Sequence, residues 1–376
     1  MEIRSCSVQC CVAQPSWGMK TIITHKDADI EIERMAPGRS RITVRLLRRE
    51  LFMPYGTCET TYPVDLIEHI LDAKGPAWLC DEIMRDESPD YLQENLRYDL
   101  LSHISEDEFR GKRLLDFGCG CGASTMVLSR MMPFTNIVGI ELNDRLLSVA
   151  RHRAEHYGFT NVTLLLSGSA DQVSGDIGEF DYILLNAVYE HFLPRERKTL
   201  LPQMWKRLKP DGILFVTETP YRYFPIELHT TGLPLINYLP DRIAYLCARR
   251  FSGRNLKNYT WEDLLRKGIR GATVGEILGN LRVPDDGCKP EPLKPFRLGV
   301  TDKSDLWRIQ MSRYLERASL QRPDKVRIIS LLRAGLSLSG RALKLLGGNI
   351  FLSRLSMAIR KRPLRSIGPL RSRADT

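Results

Sequence analysis

The sequence predicts an α/β fold in which a parallel sheet is covered by helices on both faces. Short apolar runs alternate with stretches of helical periodicity between Lys112 and Thr219, which is typical of right-handed βαβ units. A glycine-rich segment separates the first run from the first helix. The composition is 43% hydrophobic and 27% charged, which is typical of folded globular chains and excludes a disordered or fibrous one.

The core of this fold consists of five predicted strands. They are the apolar runs at 113–117, 136–141, 162–166, 180–185 and 212–217. Three helices are predicted between these strands: one that starts at Ser124, one over 144–157 and one over 194–208. In such sheets ligands bind beyond the carboxyl ends of the strands, so the residues that follow each run are the candidates for a site.

The domain organisation is predicted from changes in periodicity and charge. Residues 1–18 show no period and are expected to be disordered. Residues 19–105 combine short alternating runs with two helical stretches, which predicts an α+β addition. The main domain is expected over 106–320, and 321–376 is predicted to be a separate tail.

The tail holds the basic character of the chain. Residues 321–376 contain 13 Lys and Arg and two Asp, which is a net charge of +11. The whole chain has a net charge of +10, so residues 1–320 together have a net charge of −1. Apolar residues at helical spacing between 326 and 362 are flanked by basic ones, which predicts a basic amphipathic helix able to contact an anionic membrane. An alternative is a helix packed on the main domain, or a loose tail.

The cysteines and the N-terminus indicate the compartment. Nine cysteines are scattered with no Cys-x-x-Cys pair and no zinc-type spacing with histidine, so no metal is expected. The first residues contain no apolar signal core, and an odd number of cysteines is typical of reduced thiols. The sequence therefore predicts a cytoplasmic protein, with peripheral membrane contact as an option for the tail.

The glycine-rich loop predicts a nucleoside-containing cofactor. The segment at 116–122, DFGCGCG, places three glycines before a helix whose free N–H groups face a ligand. Glu141 follows the second strand, 21 residues after Gly120, where a carboxylate can accept hydrogen bonds from ribose hydroxyls. The loop alone leaves two cofactors open, S-adenosylmethionine and a nicotinamide dinucleotide, because Gly118, Gly120 and Ala123 also fit the dinucleotide fingerprint.

The wider region resembles the class I S-adenosylmethionine-dependent methyltransferase family. The matching stretches stand in the family's order and spacing: LLDFGCGCGAST (114–125), IVGIELND (137–144), LLSGSADQV (165–173), FDYILLNAVYEHF (180–192) and LKPDGILFVTETP (208–220). The resemblance implies a Rossmann-like seven-stranded sheet with an antiparallel last strand. The last two strands are not evident from periodicity, and 272–278 and 305–311 are the candidates.

The resemblance also implies which residues hold S-adenosylmethionine. Asp116 and the glycines are expected at the methionine part, Glu141 at the ribose, and Ala170 with Asp171 at the adenine. The complete cofactor-binding set predicted in this way is Asp116, Gly118, Cys119, Gly120, Gly122, Glu141, Leu142, Ala170, Asp171 and Asn186. Cys121 stands where the family often has another small residue, and it is expected to fit.

The acceptor side is predicted from residues that follow the fourth and fifth strands. Glu190 and His191, within VYEHF (188–192), are similar to the LEH segment of methyltransferases that act on small molecules. A hydroxyl acceptor needs a group that takes its proton, so both are candidate catalytic residues, and the alternative is that His191 only packs or caps a helix. His229 is the third candidate, because the family builds its acceptor lid after the fifth strand. Residues 186–189 differ from the Asn-Pro-Pro-Tyr motif of base methyltransferases, so nucleic acid is not an expected partner.

The function predicted from sequence is S-adenosylmethionine-dependent methylation, directed at a hydroxyl of a small molecule, a sugar or a lipid-linked intermediate. Two alternatives stay open at this point: an NAD(P)-binding oxidoreductase, and a non-catalytic scaffold with a membrane-binding tail. Because every cofactor motif precedes residue 321, removal of the tail is expected to leave cofactor binding intact.

Overall fold

The computed structural model describes residues 18–47, 53–168, 177–284, 286–302, seven residues between 305 and 316, and 353–364. The chain divides into two compact units, Met1–Glu87 and Ser88–Thr376. The predicted boundary at residue 105 is therefore wrong. Residues 88–105 belong to the second unit because Leu92, Leu96 and Leu100 are buried in one cluster with its sheet residues.

The first unit contains a four-stranded antiparallel sheet in sequential order. Its elements are β1 (Lys20–His25), β2 (Ala28–Ala36), β3 (Arg39–Leu46), β4 (Thr57–Thr60), α1 (Val64–Lys74) and α2 (Leu79–Glu87). The alternation seen in the sequence sets one face inward, with Ile30 and Ile32 buried in β2 and Ile42 in β3.

The second unit is the doubly wound α/β fold that the sequence predicts. Its elements are α3 (Glu94–Leu101), β5 (Arg113–Phe117), α4 (Ala123–Met131), β6 (Asn136–Glu141), α5 (Asp144–Tyr157), β7 (Val162–Leu166), β8 (Phe180–Asn186), α6 (Pro194–Arg207), β9 (Leu208–Pro220), α7 (Asp241–Phe251), α8 (Trp261–Arg266), α9 (Val274–Asn280), β10 (Cys288–Pro292) and β11 (Arg354–Pro363). Within the described residues the sheet has seven strands in the order β10-β11-β9-β8-β5-β6-β7. The last strand, β11, is antiparallel to β9, as the resemblance implies.

The continuous apolar runs of the central strands arise because both faces of the sheet are covered. In β8, Ile183 and Leu185 pack into the cluster on one face, which includes Trp205 of α6. Tyr182 and Leu184 of the same strand pack into the cluster on the other face, with residues of α3 and α4. This layering leaves the carboxyl ends of the strands as the edge where a ligand can enter.

The positions predicted for the last two strands are wrong. Residues Val274–Asn280 form helix α9, and the described residues between 305 and 311 are helical. The strands are instead Cys288–Pro292 and Arg354–Pro363. Strand β10 reads CKPEP, and its prolines and charges are tolerated because it lies at the sheet edge, so no apolar run indicates it.

The amphipathic helix predicted for 326–362 is wrong where the structure describes it. Residues 354–363 are a strand in which Leu355, Met357 and Ile359 are buried, and residues 326–352 lie outside the described part. Lys361 is buried here as well, with Nζ 2.8 Å from the Trp205 carbonyl oxygen and 3.3 Å from Asp286 Oδ1. Part of the basic charge therefore belongs to the folded domain.

Other predictions for the chain ends also fall outside the described residues. Residues 1–17, where disorder is expected, are not among them, nor are 365–376. Among the helices of the described residues, none is long and apolar enough to cross a bilayer.

Candidate functional site

The three glycines of the loop between β5 and α4 have different roles. Gly118, Gly120 and Gly122 have φ of 74°, 56° and 83°, which favours glycine at each position. A Cβ on Gly118 would lie 2.9 Å from the Val188 side chain, and one on Gly122 would lie 2.7 Å from Ala150 Cβ. A Cβ on Gly120 would meet nothing within 4 Å. Gly118 and Gly122 are thus needed for packing, whereas Gly120 faces open space where a ligand can approach.

Glu141, at the end of β6, is hydrogen-bonded to this loop. Its Oε2 accepts a hydrogen bond of 2.9 Å from the backbone N–H of Gly120. Its Oε1 accepts from the backbone N–H groups of Leu142 and Asn143, at 2.8 and 2.9 Å. A carboxylate has about four lone-pair sites, so the half-buried Glu141 keeps capacity for a further donor such as a ribose hydroxyl.

Replacing Glu141 with alanine is expected to weaken binding of S-adenosylhomocysteine by about 1–3 kcal/mol, because the Gly120 backbone N–H and the expected ribose hydroxyls lose their acceptor. Isothermal titration of the full-length protein measures this. The control is Asp144→Ala, three residues later, whose carboxylate is exposed and lies 3.6 Å from Arg151. Equal affinities for wild type and Glu141→Ala would show that Glu141 does not bind the cofactor.

Asp116 supports the loop from beneath. It is 1% exposed, and its Oδ2 accepts hydrogen bonds of 2.7 Å from the hydroxyls of Ser124 and Thr125 in the first turn of α4. Burial raises the pKa of the Asp116 carboxyl above its usual range. In this structure Asp116 fixes the start of α4, and its contact with the methionine part of a cofactor stays a prediction.

Arg153 is a supporting residue that sequence reasoning missed. It is fully buried on α5, and its Nη1 donates a 3.0 Å hydrogen bond to the carbonyl oxygen of Cys121. Cys119 and Cys121 are both buried, and burial keeps the pKa of the Cys119 thiol well above its usual value. The one available signal was an arginine spaced three residues from Ala150 on an otherwise apolar helix face.

The remaining predicted cofactor residues differ in position and burial. Ala170 and Asp171 lie outside the described residues. Leu142 is 50% exposed beside the loop, and its contact with the cofactor stays a prediction. Asn186 ends β8 and is buried, with its Oδ1 accepting a 3.0 Å hydrogen bond from the Thr217 hydroxyl.

The backbone is strained where β8 ends and near the end of β9. Ala187 has φ of 54° and Glu218 has φ of 57°, both in the left-handed region that non-glycine residues rarely adopt. Such conformations persist where surrounding contacts impose them, and they are concentrated at functional sites. Glu218 forms an ion pair with Arg354 of β11. Both strained positions lie where the chain leaves the sheet toward the candidate catalytic residues.

The structure brings together all three candidate catalytic residues. Glu190 and His191 lie in a short 3-10 turn after β8, and His229 comes from the segment after β9. Glu190 Oε1 lies 3.9 Å from His191 Nε2, and one side-chain ligand atom of each residue falls within 4.8 Å of the others. These three residues, called here the acceptor cluster, converge although His229 is distant in sequence.

Hydrogen bonds fix the protonation of the acceptor cluster. The Nδ1 of His191 lies 2.7 Å from the carbonyl oxygen of Arg266, so Nδ1 carries the proton and Nε2 presents a lone pair. Desolvation lowers the pKa of His191, and it lowers that of His229 to about 4 although part of that side chain is exposed. Both shifts favour the neutral form of the imidazole.

Glu190 is the buried member of the acceptor cluster. It has no exposed surface, its Oε2 accepts a 3.1 Å hydrogen bond from the Thr219 hydroxyl, and its Oε1 has no hydrogen-bond partner in the described structure. Burial raises the pKa of the Glu190 carboxyl to about 7. The cluster therefore offers an unpaired carboxyl oxygen and an imidazole nitrogen that face each other.

A loop after α8 closes against the acceptor cluster. Gly268 has φ of 84°, and a Cβ there would lie 2.9 Å from His229 Cδ2 and 3.0 Å from Glu190 Cγ. Arg266, in the last turn of α8, forms a two-pronged ion pair with Glu196 of α6 at 2.5 Å for each contact. The loop is held by α6, so the cluster is positioned by rigid elements on two sides.

The comparisons with known proteins concern the same region. Residues 114–212 match the family described as "Methyltransferase domain". A protein-L-isoaspartate O-methyltransferase of Nitrobacter winogradskyi is 34% identical over 110 residues, 29% of this chain and 45% of the relative. A mitochondrial ubiquinone biosynthesis O-methyltransferase of Bos taurus is 28% identical over 176 residues, 44% of this chain and 45% of the relative.

The chain spans about half the length of the curated relatives it matches. A solved structure described as a putative sarcosine dimethylglycine methyltransferase from Galdieria sulphuraria is 15% identical, with 72% of this chain and 83% of that chain covered and a TM-score of 0.39. A similarity at that score carries no weight for function.

The strand order, the antiparallel last strand and the family match define the class of the second unit. Its strand order is that of class I S-adenosylmethionine-dependent methyltransferases, and residues 114–212 within it match the methyltransferase domain family. The open space at Gly120 and the carboxylate of Glu141 fit that cofactor. The oxidoreductase alternative is thereby set aside.

Proposed function

We propose that this chain transfers the methyl group of S-adenosylmethionine to a hydroxyl of a small molecule, a sugar or a lipid-linked intermediate. The observation that carries the proposal is the position of the acceptor cluster. Val188 packs against Gly118 of the cofactor loop, and Glu190 and His191 follow Val188 by two and three residues. The names of two curated relatives, both O-methyltransferases, support a hydroxyl or carboxyl acceptor.

The cofactor-binding roles are part of this proposal. The methionine part binds beside Gly120, where a Cβ would meet no protein atom within 4 Å. Asp116 and Cys119 are buried and support the conformation of the loop. Glu141 accepts from the ribose with Leu142 beside it, and Asn186 borders the reacting end of the site. Ala170 and Asp171 are assigned to the adenine from the sequence alone.

The chemistry asked of the protein is modest. When bound, the cofactor supplies a methyl group on a sulfonium, which is already activated for in-line displacement. The chain has to align the acceptor oxygen and ease the loss of its proton, and such alignment contributes several kcal/mol to lowering a barrier. His191 Nε2 and Glu190 Oε1 face each other at 3.9 Å, so an acceptor hydroxyl between them can donate to either.

A labelled-methyl assay tests the acceptor class. The full-length protein is incubated with methyl-labelled S-adenosylmethionine and a panel of phenols, sugars, carboxylic acids and amines. We expect label in methyl ethers, which survive mild alkali. Label recovered in amines, or released as methanol by mild alkali from esters, contradicts a hydroxyl acceptor.

The variant His191→Gln tests the role of the acceptor cluster. We expect kcat to fall by about 10²- to 10⁴-fold, the range for loss of a group that assists proton transfer, with affinity for S-adenosylhomocysteine unchanged. The matched control is His69→Gln in α1 of the first unit, which should leave both values unchanged. An unchanged kcat in His191→Gln would limit His191 to packing.

A further inference from the structure

We propose that Glu190, His191 and His229 bind one divalent transition-metal ion, which polarises the hydroxyl to be methylated. The metal site itself depends only on the geometry of the acceptor cluster. Its use in methyl transfer rests on the proposed function.

The distances suit a shared ion better than a direct contact. The 3.9 Å between Glu190 Oε1 and His191 Nε2 is too long for a hydrogen bond. Metal–ligand bonds of about 2.0–2.2 Å in a tetrahedral site place the ligand atoms of one ion roughly 3.3–3.6 Å apart. The three candidate atoms lie within 4.8 Å of one another, so binding an ion requires them to approach by up to about 1 Å, a distance that side-chain rotation can supply.

The hydrogen bonds around the cluster have the arrangement typical of metal ligands. A ligating histidine almost always donates its other ring N–H to a carbonyl or carboxylate, which fixes the tautomer that presents a lone pair. His191 does this through Nδ1 and the Arg266 carbonyl oxygen at 2.7 Å. The second oxygen of the Glu190 carboxyl is likewise held, by the Thr219 hydroxyl at 3.1 Å.

The unpartnered oxygen of Glu190 is the independent observation. A buried carboxyl oxygen without a partner is costly unless a ligand or ion completes it. Glu190 is 0% exposed, and its Oε1 points to the gap shared with the histidine nitrogen. An ion in that gap completes the coordination of this oxygen.

The neighbouring cations do not fill the gap themselves. Arg354 is paired with Glu218, and Arg266 with Glu196. Arg254 donates to the carbonyl oxygens of Leu228 and His229, on the backbone side of the loop.

The donor set indicates the class of ion. Two imidazole nitrogens and one carboxylate oxygen suit Zn²⁺, Mn²⁺, Fe²⁺ or Co²⁺, whereas Mg²⁺ and Ca²⁺ prefer oxygen ligands. Sequence spacing did not indicate this site, because His229 approaches the other two residues only through the fold. Three protein ligands leave at least one position open for the acceptor oxygen.

The step balances as a simple displacement. The acceptor hydroxyl binds at the open position, and the ion lowers its pKa so that its proton leaves to water. With the ion bound, His191 Nε2 is a ligand, so direct transfer of the proton to His191 applies only to the metal-free site. The oxygen lone pair forms the new O–CH₃ bond as the S–CH₃ bond breaks and its electron pair returns to sulfur. The sulfonium thereby becomes the neutral thioether of S-adenosylhomocysteine.

Metal titration of the full-length protein tests the site without any activity assay. Protein treated with EDTA and dialysed is titrated with Co²⁺, and visible absorption and bound metal per chain are measured. We expect one Co²⁺ per chain, with ligand-field bands that are displaced by Zn²⁺. Glu190→Gln, which keeps the side-chain shape, should weaken Co²⁺ binding by at least 10- to 100-fold.

Further variants guard against misfolding and surface binding. His229→Gln changes a partly exposed side chain and should also weaken Co²⁺ binding by at least tenfold, whereas His69→Gln should bind as wild type does. Equal Co²⁺ binding by wild type, Glu190→Gln and His229→Gln, or no binding by wild type, overturns the site.

The same samples separate this inference from the proposed function. S-adenosylhomocysteine affinity and methyl transfer are measured before and after EDTA. Loss of transfer after EDTA, restored by Mn²⁺ or Zn²⁺ with affinity unchanged, supports the role of the ion. Full transfer in metal-free protein overturns that role and leaves the proposed function standing.

Discussion

A chain that ends at residue 352 should not fold cooperatively and should not bind S-adenosylhomocysteine. The truncation removes β11, which lies between β9 and β10 and pairs with both. Burial of Leu355, Met357 and Ile359 contributes roughly 5–9 kcal/mol at about 1.5–3 kcal/mol each, comparable with the whole stability of a typical domain. Thermal unfolding followed by circular dichroism, and isothermal titration, measure the two losses.

The control for this truncation ends at residue 364. It removes only 365–376, lies beyond β11, and should retain the unfolding transition and cofactor affinity of the full chain. The sequence by itself predicts the opposite result, since all cofactor motifs precede residue 321. Normal binding by the chain that ends at 352 would show that β11 is dispensable.

Gly120→Val should reduce affinity for S-adenosylhomocysteine by roughly 100-fold or more, about 2.7 kcal/mol, while the sheet stays folded. The new side chain meets no protein atom within 4 Å of its Cβ, so it projects into the space left for the ligand. Its φ of 56° adds strain of about 1–2 kcal/mol, which lowers stability without unfolding the domain. Titration and thermal unfolding of the same samples separate the two effects.

A matched substitution isolates the steric effect from the strain. Gly158 ends α5 with φ of 65°, and a Cβ there would likewise meet nothing within 4 Å, but this glycine caps the helix end remote from the loop. Gly158→Val should lower the melting temperature about as much and leave binding unchanged. Similar affinity losses in both variants would mean that Gly120 affects binding only through stability.

Local patterns were sufficient for the central part of the fold. The apolar runs at β5, β6, β7, β8 and β9 are continuous because those strands are covered on both faces, so each is visible in a short window of sequence. The glycine loop and Glu141 were also visible, since a turn with positive φ requires glycine and a fixed spacing separates the two strand ends.

The last two strands in sequence, β10 and β11, could not be predicted from apolar runs. Strand β10 lies at an edge and contains two prolines, and β11 carries Arg354, Arg360, Lys361 and Arg362, which resemble an exposed basic tail. The basic residues are accepted because partners come from distant parts of the chain, as Glu218 does for Arg354 and the Trp205 carbonyl for Lys361. No window of sequence contains both members of such pairs.

The sequence by itself predicted the class of fold and the cofactor loop, because apolar runs and glycine turns are visible in short windows, and it named three candidate acceptor residues from their place after two strands. Only the tertiary structure decided that Glu190, His191 and His229 meet, that Oε1 of Glu190 is left without a partner, and that Arg153 supports the loop. These are relations between atoms brought together by the packing of β8, the segment after β9 and α5. Residues far apart in sequence make these contacts, so a short window of sequence cannot predict them, and they form only when the domain packs.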